Sequence, residues 1–417
     1  MTTPKEKVFT PYQVLIIALI AILQFTIILD FMVLSPLGAI LIPTLKITPV
    51  QFGLVVSAYA FSAGASGLLA AGFADKFDRK KFLLFFYAGF LIGTLLCAIA
   101  PTYQLLLAAR IVTGIFGGVI GSVTFAIITD LFKLEVRGRV MGFVQIAFGA
   151  SQVLGLPIGL LLANRFEWHA PFWMIVIFGT LLGVIIVIYM KPITQHLAST
   201  KEQNAFMHLH NNLSNKLYVR AFFSTILLAT GGFMLMPFGS AFSTNNLGLT
   251  LQQLPVLYLV TGIFGIALGP LIGKLADTIG KFQLFAIGTV ISIAMVAIYT
   301  RLGITPLWIC MILNVILFAG INARMISSSA LISAIPALPD RGAFMSINAS
   351  IQQLSGGVAS FIAGLIVIQS PSGVLERYEI LGYVVIASMI IATAMIYWLD
   401  NYVNRAVQHA PKGMSNN

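Results

Sequence analysis

Long apolar stretches separated by short polar segments run along almost the whole chain. A helix needs roughly 20 mostly apolar residues to cross a lipid bilayer, and twelve stretches approach or exceed that length. They lie near residues 13–42, 50–74, 80–100, 103–131, 138–163, 169–190, 218–243, 252–275, 282–300, 305–332, 342–369 and 379–400. The pattern therefore predicts an all-α membrane protein with twelve transmembrane helices.

The longest polar stretch divides the twelve predicted helices into two sets of six. It covers residues 191–217, between the sixth and seventh apolar stretches. We therefore predict four regions, which are an N-terminal six-helix bundle at residues 1–190, a cytoplasmic central loop at 191–217, a C-terminal six-helix bundle at 218–400 and a cytoplasmic tail at 401–417.

The two predicted bundles carry similar short sequences at a nearly constant offset. Asp75 and Asp277 follow the second and eighth apolar stretches and are 202 residues apart. The sequences RGRVMGF (137–143) and RGAFMSI (341–347) precede the fifth and eleventh stretches, at an offset of 204 residues. The offset indicates two pseudo-symmetric six-helix units, an arrangement typical of transporters that open one site to each side of the membrane in turn.

Charged residues are scarce and lie mainly in the loops on one side of the predicted bundles. They make up 9% of the chain, whereas 59% of the residues are hydrophobic, and a soluble domain carries about 25% charged residues. With the N-terminus in the cytoplasm, 18 of the 24 Lys and Arg residues fall on the cytoplasmic side, 4 on the opposite side and 2, Arg110 and Arg324, within helices. Cytoplasmic loops are enriched in Lys and Arg. We therefore expect a multi-pass protein of a bacterial inner membrane, with both termini cytoplasmic and no nucleic-acid partner.

Two short motifs resemble those of the major facilitator superfamily. The loop between the second and third helices of that family reads G-x-L-a-D-r-x-G-r-k, and residues 273–281 (GKLADTIGK) match it well. The first copy, residues 71–80 (AGFADKFDRK), is altered, since its first Gly is displaced by one position and Asp78 stands where the second Gly is expected. The second motif is an Arg followed by a Gly early in the fourth helix, here Arg110 and Gly114.

A third motif, in the fifth predicted helix, is similar to that of efflux proteins of the superfamily. Antiporters of the family carry G-P-x-x-G-G there, and this chain has Gly155, Pro157 and Gly159 in the variant G-L-P-I-G, which we interpret as a helix-packing motif. The chain resembles the drug/proton antiporter branch and arabinose-efflux-like permeases, and the variant is similar to that of sugar- or metabolite-efflux relatives. The resemblance implies the major facilitator fold, a small-molecule substrate, protons as the coupling ion and no cofactor.

Two charged residues fall inside the predicted helices of the N-terminal half. A carboxylate in hydrocarbon costs several kcal/mol unless it is paired, protonated or hydrated, so Asp30, deep in the first helix, is a candidate to carry a proton. Arg110 lies about seven residues into the fourth helix, roughly 10 Å from its outer end, and Asp30 lies at a similar depth. The resemblance ties this Arg to proton coupling, and we hypothesise that a proton on Asp30 loosens an Asp30–Arg110 pair. The alternatives are a static ion pair, or a structural carboxylate at a helix break near Pro36.

Five charged residues near the cytoplasmic ends of the helices form a predicted conformational latch. They are Asp75, Arg79, Asp130, Arg137 and Asp277. In the superfamily that the chain resembles, the loop Asp faces the N-terminus of the eleventh helix, where the helix dipole favours an anion, and the loop Arg pairs with an acid at the end of the fourth helix. Breaking these contacts would favour opening to the cytoplasm. The alternative is a solvated run of charges that only sets the topology.

Residues of the first, seventh and tenth predicted helices are candidates to line a substrate cavity. The candidates are Phe25, Phe31, Met32, Phe233, Met234, Met236, Phe238, Asn314, Asn322 and Arg324. Met and aromatic surfaces suit varied apolar ligands, and Arg324 is a candidate contact for an anionic or polar substrate. The alternatives are ordinary packing or lipid-facing side chains and, for Arg324, a side chain that extends to the membrane surface.

Sequence patterns that would indicate a metal site or an enzyme are weak or missing. His196, His208 and His210 lie in the central loop, where no Cys or acidic partner other than Glu202 stands at the spacing of a metal site. The phosphate-binding sequence Gly-x-x-x-x-Gly-Lys-Ser/Thr does not occur. We therefore expect no metal, no cofactor and no enzymatic activity.

Together, these patterns predict a secondary active transporter that exports small molecules by alternating access, as a proton antiporter. Uptake of a metabolite by symport or facilitated diffusion is one alternative, and a membrane receptor or scaffold without flux is another. Two Arg residues against one Asp within the helices favour neutral, zwitterionic or anionic substrates. We expect a monomer whose N-terminal half handles protons and whose C-terminal half contributes more to substrate shape.

Overall fold

The structure, a computed structural model, describes residues 9–70, 76–194, 197, 212–336 and 341–409. Within these ranges, 12 helices have the length and apolar composition needed to cross a membrane. Numbered as spans 1 to 12, they begin with Pro11–Val33, Pro49–Ala70, Arg79–Ala98, Tyr103–Leu131, Arg139–Arg165 and Ala170–Tyr189, and continue with Lys216–Asn245, Leu254–Ile279, Lys281–Tyr299, Leu307–Ser333, Ala343–Ile366 and Tyr378–Val403. The predicted fold class is confirmed.

Spans 1 and 7 are both interrupted, although the apolar pattern predicts one continuous helix for each. Span 1 ends as a helix at Val33, and the chain resumes as a short helix at Gly38–Leu45. Span 7 changes after Phe233 to a 3-10 turn at Met236–Phe238 and then to a helix at Gly239–Asn245. A proline inside a helix removes a backbone donor and clashes with the preceding turn, and Pro36 and Pro237 stand at the two interruptions. Apolar residues continue through both breaks, so the apolar pattern does not reveal them, and only the first is considered from the sequence, as a helix break near Pro36.

Span 5 contains a π-helical turn where the predicted helix-packing motif begins. The α-helix Leu134–Ala150 is followed by the π-turn Ser151–Gly155 and by the α-helix Leu156–Arg165. A Cβ added to Gly155 would lie 2.5 Å from Leu29 Cδ1, and one added to Gly159 would lie 2.9 Å from Val33 Cγ2. The motif therefore lets span 5 approach the end of the span 1 helix closely.

A short β-hairpin stands between spans 11 and 12, where the apolar pattern predicts helix up to residue 369. Span 11 ends at Ile366, and Ile368–Gln369 pairs antiparallel with Leu375–Glu376. Asn246, directly after span 7, donates from Nδ2 to the Leu375 carbonyl oxygen at 2.9 Å and accepts the Leu375 N–H at 3.0 Å. These bonds hold the hairpin against the end of span 7.

The two halves are closed against each other at one end of the bundle. We call this the outer end, and the end where span 1 begins the inner end. Ser240 Oγ, beside the break in span 7, donates to the Ser35 carbonyl oxygen at 3.1 Å and accepts the Ala39 N–H at 3.3 Å. Asn164 Nδ2, near the end of span 5, donates to the Leu251 carbonyl oxygen at 2.7 Å. The two helix breaks thus meet directly at the outer closure.

The apolar core is shared by the two halves at the outer end and is separate in each half at the inner end. One large cluster joins the halves at the outer end, where Phe52 packs edge-on against Phe238 at 5.9 Å between ring centroids. At the inner end, the main clusters are separate, one built mostly from the N-terminal half around Phe82 and the other mostly from the C-terminal half around Phe344. Because shared apolar burial is concentrated at the outer end, the halves part toward the inner end.

Besides spans 1 and 7, two further pairs of spans join the halves, and they differ in extent. Spans 2 and 11 stay close along most of their length, from Gly53 against Gly364 to Gly64 against Leu354. Spans 5 and 8 meet in their outer parts, where a Cβ on Gly262 would lie 2.9 Å from Val153 Cγ2. Further in, a Cβ on Gly273 would meet no described atom within 4 Å. The separation at the inner end therefore lies on the side of spans 5 and 8.

Gly118 offers a direct test of the packing of span 4 on span 2. A Cβ there would lie 2.6 Å from the Ala63 carbonyl carbon, whereas a Cβ at Gly121 of the same helix would meet nothing within 4 Å. We expect Gly118→Ala to destabilise the protein by about 1–3 kcal/mol, as overpacking does, and Gly121→Ala to be neutral or stabilising. Unfolding in detergent measures both, and equal effects of the two substitutions would contradict the packing.

Candidate transport site

A charge pair is buried inside the N-terminal half. Arg110 Nη1 of span 4 lies 2.7 Å from Asp30 Oδ2 of span 1, and the two side chains are 1% and 0% exposed. Thr94 Oγ1 of span 3 donates to Asp30 Oδ1 at 3.1 Å, and the Arg110 guanidinium lies over the Tyr59 ring at 4.5 Å. Four spans therefore hold this pair, whose formal charges cancel.

The position of each partner follows from its helix. Asp30 stands in the last turn of the span 1 helix, directly before the break, and Arg110 stands two turns into span 4, which begins at Tyr103. A charge in a lipid-embedded bundle costs much less when an opposite charge and hydrogen bonds accompany it. Arg110 Nε is the exception, since it is buried without a hydrogen-bond partner among the described residues.

A cavity of about 270 Å³ lies between the two halves. Its volume is close to the lower end of the roughly 300–1,000 Å³ typical of small-molecule sites. Spans 1 and 5 line one wall and spans 7, 8, 10 and 11 line the other, from Pro36 and Met236 at the outer end to Ile332 and Met345 toward the inner end. Neither Asp30 nor Arg110 lines it.

Five of the predicted cavity residues do line this cavity. They are Phe31, Met32, Phe233, Met236 and Arg324. The rings of Phe31 and Phe233, from opposite halves, lie 5.8 Å apart between centroids. Arg324 is 3% exposed, and its guanidinium lies 5.4 Å from the centre of the Phe285 ring.

Five other candidates lie elsewhere, and their predicted placement in the cavity is corrected. Phe25 packs against Phe178 of span 6, at 6.2 Å between ring centroids, because it projects from a different face of span 1 than Phe31 does. Met234 and Phe238 are buried in the apolar core of the outer closure.

Asn314 and Asn322 of span 10 are the remaining two. Asn314 lies one turn beyond the outermost span 10 residue of the cavity, Phe318, and donates from Nδ2 to the Cys310 carbonyl oxygen at 2.9 Å. Asn322 faces span 8, where its Nδ2 would lie 3.6 Å from a Cβ on Gly265. Depth and helix face, rather than residue type, exclude these two from the lining.

The cavity also contains polar residues that the sequence analysis does not single out. Gln152 comes from the π-turn of span 5, Tyr258 from span 8, and Asn348 and Gln352 from span 11. Thr225 Oγ1 of span 7 donates to Asn348 Oδ1 at 2.6 Å. The spacing of Asn348 and Gln352, four residues apart on one face of an apolar helix, is the signal that could have found them.

The predicted latch is only partly assembled. Arg79 Nε and Asp130 Oδ2 lie 2.9 Å apart, which joins the start of span 3 to the end of span 4. Arg137 instead binds backbone carbonyl oxygens, donating from Nε to Phe132 at 2.9 Å and from Nη2 to Thr129 at 2.6 Å.

The predicted latch also includes two loop acids, Asp277 and Asp75. Asp277 is exposed near the end of span 8 and has no ion-pair partner among the described residues, and its predicted place in the latch stays a prediction. The inner parts of spans 5 and 8 are apart here, which leaves its side chain in the open. Asp75 lies outside the described residues.

The sequence profile of the Major Facilitator Superfamily matches residues 20–360 and, in a second match, residues 221–414. The first match covers more than half of the chain. The chain belongs to the Major Facilitator Superfamily. The predicted resemblance is thereby confirmed, and this member of the superfamily is a multi-pass membrane transporter of small molecules.

Relatives of this transporter include proteins named for efflux. It is 30% identical over 280 residues to the uncharacterized MFS-type transporter YceJ of Bacillus subtilis (strain 168). The aligned region covers 66% of this chain and 70% of that protein. It is 36% identical over 146 residues to Multidrug resistance protein 3 of the same organism, covering 35% and 28% of the two chains. It is 23% identical over 240 residues to the probable sugar efflux transporter of Helicobacter pylori (strain G27), covering 57% and 60%. The chain thus spans less than two thirds of the second and third relatives.

Solved structures share the fold of this transporter at low sequence identity. A D-xylose–proton symporter is similar with a TM-score of 0.74 and 18% identity, covering 91% of this chain and 97% of that one. A bacterial homologue of the human lysosomal transporter Spinster, in an inward-facing and unoccupied conformation, has a TM-score of 0.69 and 15% identity, covering 96% and 98%. At these identities the likeness extends to the fold alone.

Proposed function

We propose that this transporter exports small molecules from the bacterial cytoplasm in exchange for protons. The observation that carries the proposal is the sealed Asp30–Arg110 pair, which lies apart from the cavity between the halves. In an exchanger, binding of one ligand must oppose binding of the other, and two separate sites that favour opposite states of one shared equilibrium meet that need. We assign the proton to Asp30 and the cargo to the cavity.

The contacts of Asp30 provide a route from protonation to conformational change. A neutral Asp30 carboxyl would lose most of its attraction to Arg110, which keeps its own charge, so the pair would loosen. Asp30 lies directly before the break in span 1, and Ser35 within that break accepts a hydrogen bond from Ser240 of span 7. A shift of span 1 at Asp30 would therefore strain the outer closure and favour its opening.

The distribution of charge supports an orientation for this cycle. Of the 24 Lys and Arg residues, the sequence pattern predicts 18 on the side where span 1 begins, and we therefore assign the inner end to the cytoplasm together with both termini. In that orientation the halves are parted on the cytoplasmic side, the conformation in which an exporter takes up its cargo. Relatives named for multidrug resistance and sugar efflux support the same direction. We further propose that the latch residues assemble when the cytoplasmic side closes.

The direction and the coupling are tested together in proteoliposomes that contain the purified protein. An acidic interior should drive accumulation of a cargo by antiport, because protons leave as the cargo enters. The panel consists of a neutral, a zwitterionic and a permanently anionic aromatic compound, and liposomes without protein correct for passive distribution. A trapped pH indicator reports proton movement in the same vesicles.

Each outcome of this experiment decides between the functions. Accumulation with an acidic interior and an accompanying rise of internal pH supports the exporter. Accumulation only with an alkaline interior would indicate a symporter for uptake, and equilibration that ignores the gradient would indicate a facilitator. Absence of movement for the whole panel would contradict transport of these cargo classes and favour a receptor or scaffold.

A further inference from the structure

The cavity wall contains a cation that no described side chain of the protein neutralises. Arg324 is 3% exposed and lines the cavity, and its Nε and Nη2 atoms are buried without a hydrogen-bond partner in the described parts of the chain. Among the described residues, ion pairs of Arg involve only Arg79 and Arg110. An Arg side chain stays charged in proteins, and a buried unpaired charge costs several kcal/mol. Such a residue is expected to have a partner at some stage of the transport cycle.

A structural role for Arg324 at the membrane surface does not fit its depth. It stands nine residues before the end of span 10 at Ser333, which is roughly 13 Å along the helix. That distance exceeds the reach of an arginine side chain, and the guanidinium instead lies beside the Phe285 ring, 5.4 Å from its centre. A Cβ on Gly231 of span 7 would lie 3.8 Å from Nη1, so the charge stands between spans 7, 9 and 10.

The buried arginines of the two halves differ in whether an acidic side chain accompanies them. In the N-terminal half, Arg110 has Asp30 at 2.7 Å, and that pair does not reach the cavity. In the C-terminal half, Arg324 is at the cavity, and the described lining contains no acidic residue. The cavity therefore has a net positive charge that a bound anion would neutralise and a bound cation would double.

The polar and apolar parts of the lining are arranged along the cavity. Thr225, Ser328 and Asn348 belong to its inner part, as Arg324 does. Thr225 donates to Asn348 Oδ1 at 2.6 Å, which leaves the Asn348 NH2 group without a partner among the described residues. Further out, the lining is dominated by Phe31, Phe233 and Met236, and Met236 begins the 3-10 turn that follows the span 7 helix.

We propose that the cavity binds amphiphilic organic anions. The acid group, a carboxylate or sulfonate, pairs with Arg324, and an acid group large enough to extend to span 11 also accepts a hydrogen bond from Asn348. The apolar body lies against the aromatic and Met side chains further out. A volume of about 270 Å³ fits a small aromatic acid rather than a lipid with two chains. These anions are the class of molecule that the proposed exporter would carry. Only their role as cargo rests on the proposed function, because their binding to the cavity is measurable without transport.

Three ligands with the same apolar body test the charge preference on the unaltered protein. They are a naphthalenesulfonate, the matching naphthalenesulfonamide and a naphthylmethyl-trimethylammonium. Isothermal calorimetry in an uncharged detergent gives the Kd of each ligand, after the heat of its binding to empty micelles is subtracted. We expect the sulfonate to bind at least about tenfold more tightly than the sulfonamide, and the ammonium to bind more weakly than either. Equal affinities, or a preference for the ammonium, would overturn the proposal without any variant.

Substitutions then assign the preference to Arg324. Arg324→Gln should weaken sulfonate binding at least about tenfold and leave sulfonamide binding unchanged or tighter, whereas Arg324→Lys should keep the preference for the anion. Arg301→Gln is the matched control, because Arg301 is exposed at the outer end and donates to Tyr383 Oη at 2.6 Å. If Arg324→Gln binds the sulfonate as well as the unaltered protein does, the assignment is wrong.

Two further experiments distinguish a soluble anion from an anionic lipid, and anion binding from proton-driven export. Phosphatidylglycerol added to the micelles tests for an anionic lipid, and complete loss of sulfonate binding would assign the site to lipid and overturn a soluble cargo. Transport in proteoliposomes tests the exporter independently. Sulfonate binding that depends on Arg324 without proton-driven flux would contradict the exporter alone, whereas proton-driven flux of a neutral compound with no sulfonate preference would contradict the anion site alone.

Discussion

Asp30→Asn is expected to abolish the accumulation of cargo driven by a pH gradient. Asparagine keeps a hydrogen-bonding oxygen near Arg110 and Thr94 but cannot bind and release a proton, so the variant is held in the equivalent of the protonated state. Gradient-driven uptake into proteoliposomes should fall to the level of liposomes without protein. Exchange of labelled for unlabelled cargo needs no net proton movement and should persist.

The matched control for this substitution is Glu379→Gln, which removes an exposed carboxylate in the first turn of span 12. It should leave gradient-driven uptake unchanged. If Asp30→Asn accumulates cargo against the gradient as the unaltered protein does, Asp30 does not carry the coupling proton. Loss of exchange together with accumulation would instead indicate a static ion pair that only supports the fold.

Arg110→Met is expected to cause a large loss of stability. It leaves Asp30, which is fully buried, without its ion-pair partner, and breaking a buried pair on one side costs about 3–5 kcal/mol. Replacing both charges by neutral groups is often close to neutral, so Asp30→Asn combined with Arg110→Met should regain most of the lost free energy of unfolding.

A double-mutant cycle of unfolding in detergent measures the coupling between the two residues. Arg301→Met, at an exposed position of the outer end, serves as the control and should have little effect. Additive effects of Asp30→Asn and Arg110→Met would mean that the two residues do not stabilise each other. That result would contradict the pair as the energetic unit of the N-terminal half.

The two arginines within the spans show how one residue type acquires different roles. Arg110 and Arg324 occupy spans 4 and 10, which the repeat of the halves relates to each other, but not at equivalent positions. An offset of 204 residues carries Arg110 onto Asn314, which bonds to its own helix and lies outside the cavity lining. Arg324 stands further along span 10, and no described acidic residue pairs with it as Asp30 pairs with Arg110. The repeat therefore preserves the helices but not the chemistry at their centres.

The sequence alone predicts the number of spans, the division into two halves and the side that carries most basic residues. Each span satisfies its backbone hydrogen bonds within itself, as a lipid environment requires, so apolar length is sufficient to locate it. Local chemistry also marks the candidates, since a charge among apolar residues stands out wherever its helix packs. Asp30, Arg110 and Arg324 are all found in this way.

Contacts between helices decide what those candidates do. The 2.7 Å pairing of Asp30 with Arg110 depends on how spans 1 and 4 rotate against each other, and the isolation of Arg324 depends on which side chains spans 7 and 9 present to it. The same rotations turn Phe25 and Asn322 away from the cavity. A helix of mostly apolar residues has no strong periodic difference between its faces, because lipid and protein core are both apolar. Which face meets the cavity is therefore set by close packing between the spans, and no single span encodes it.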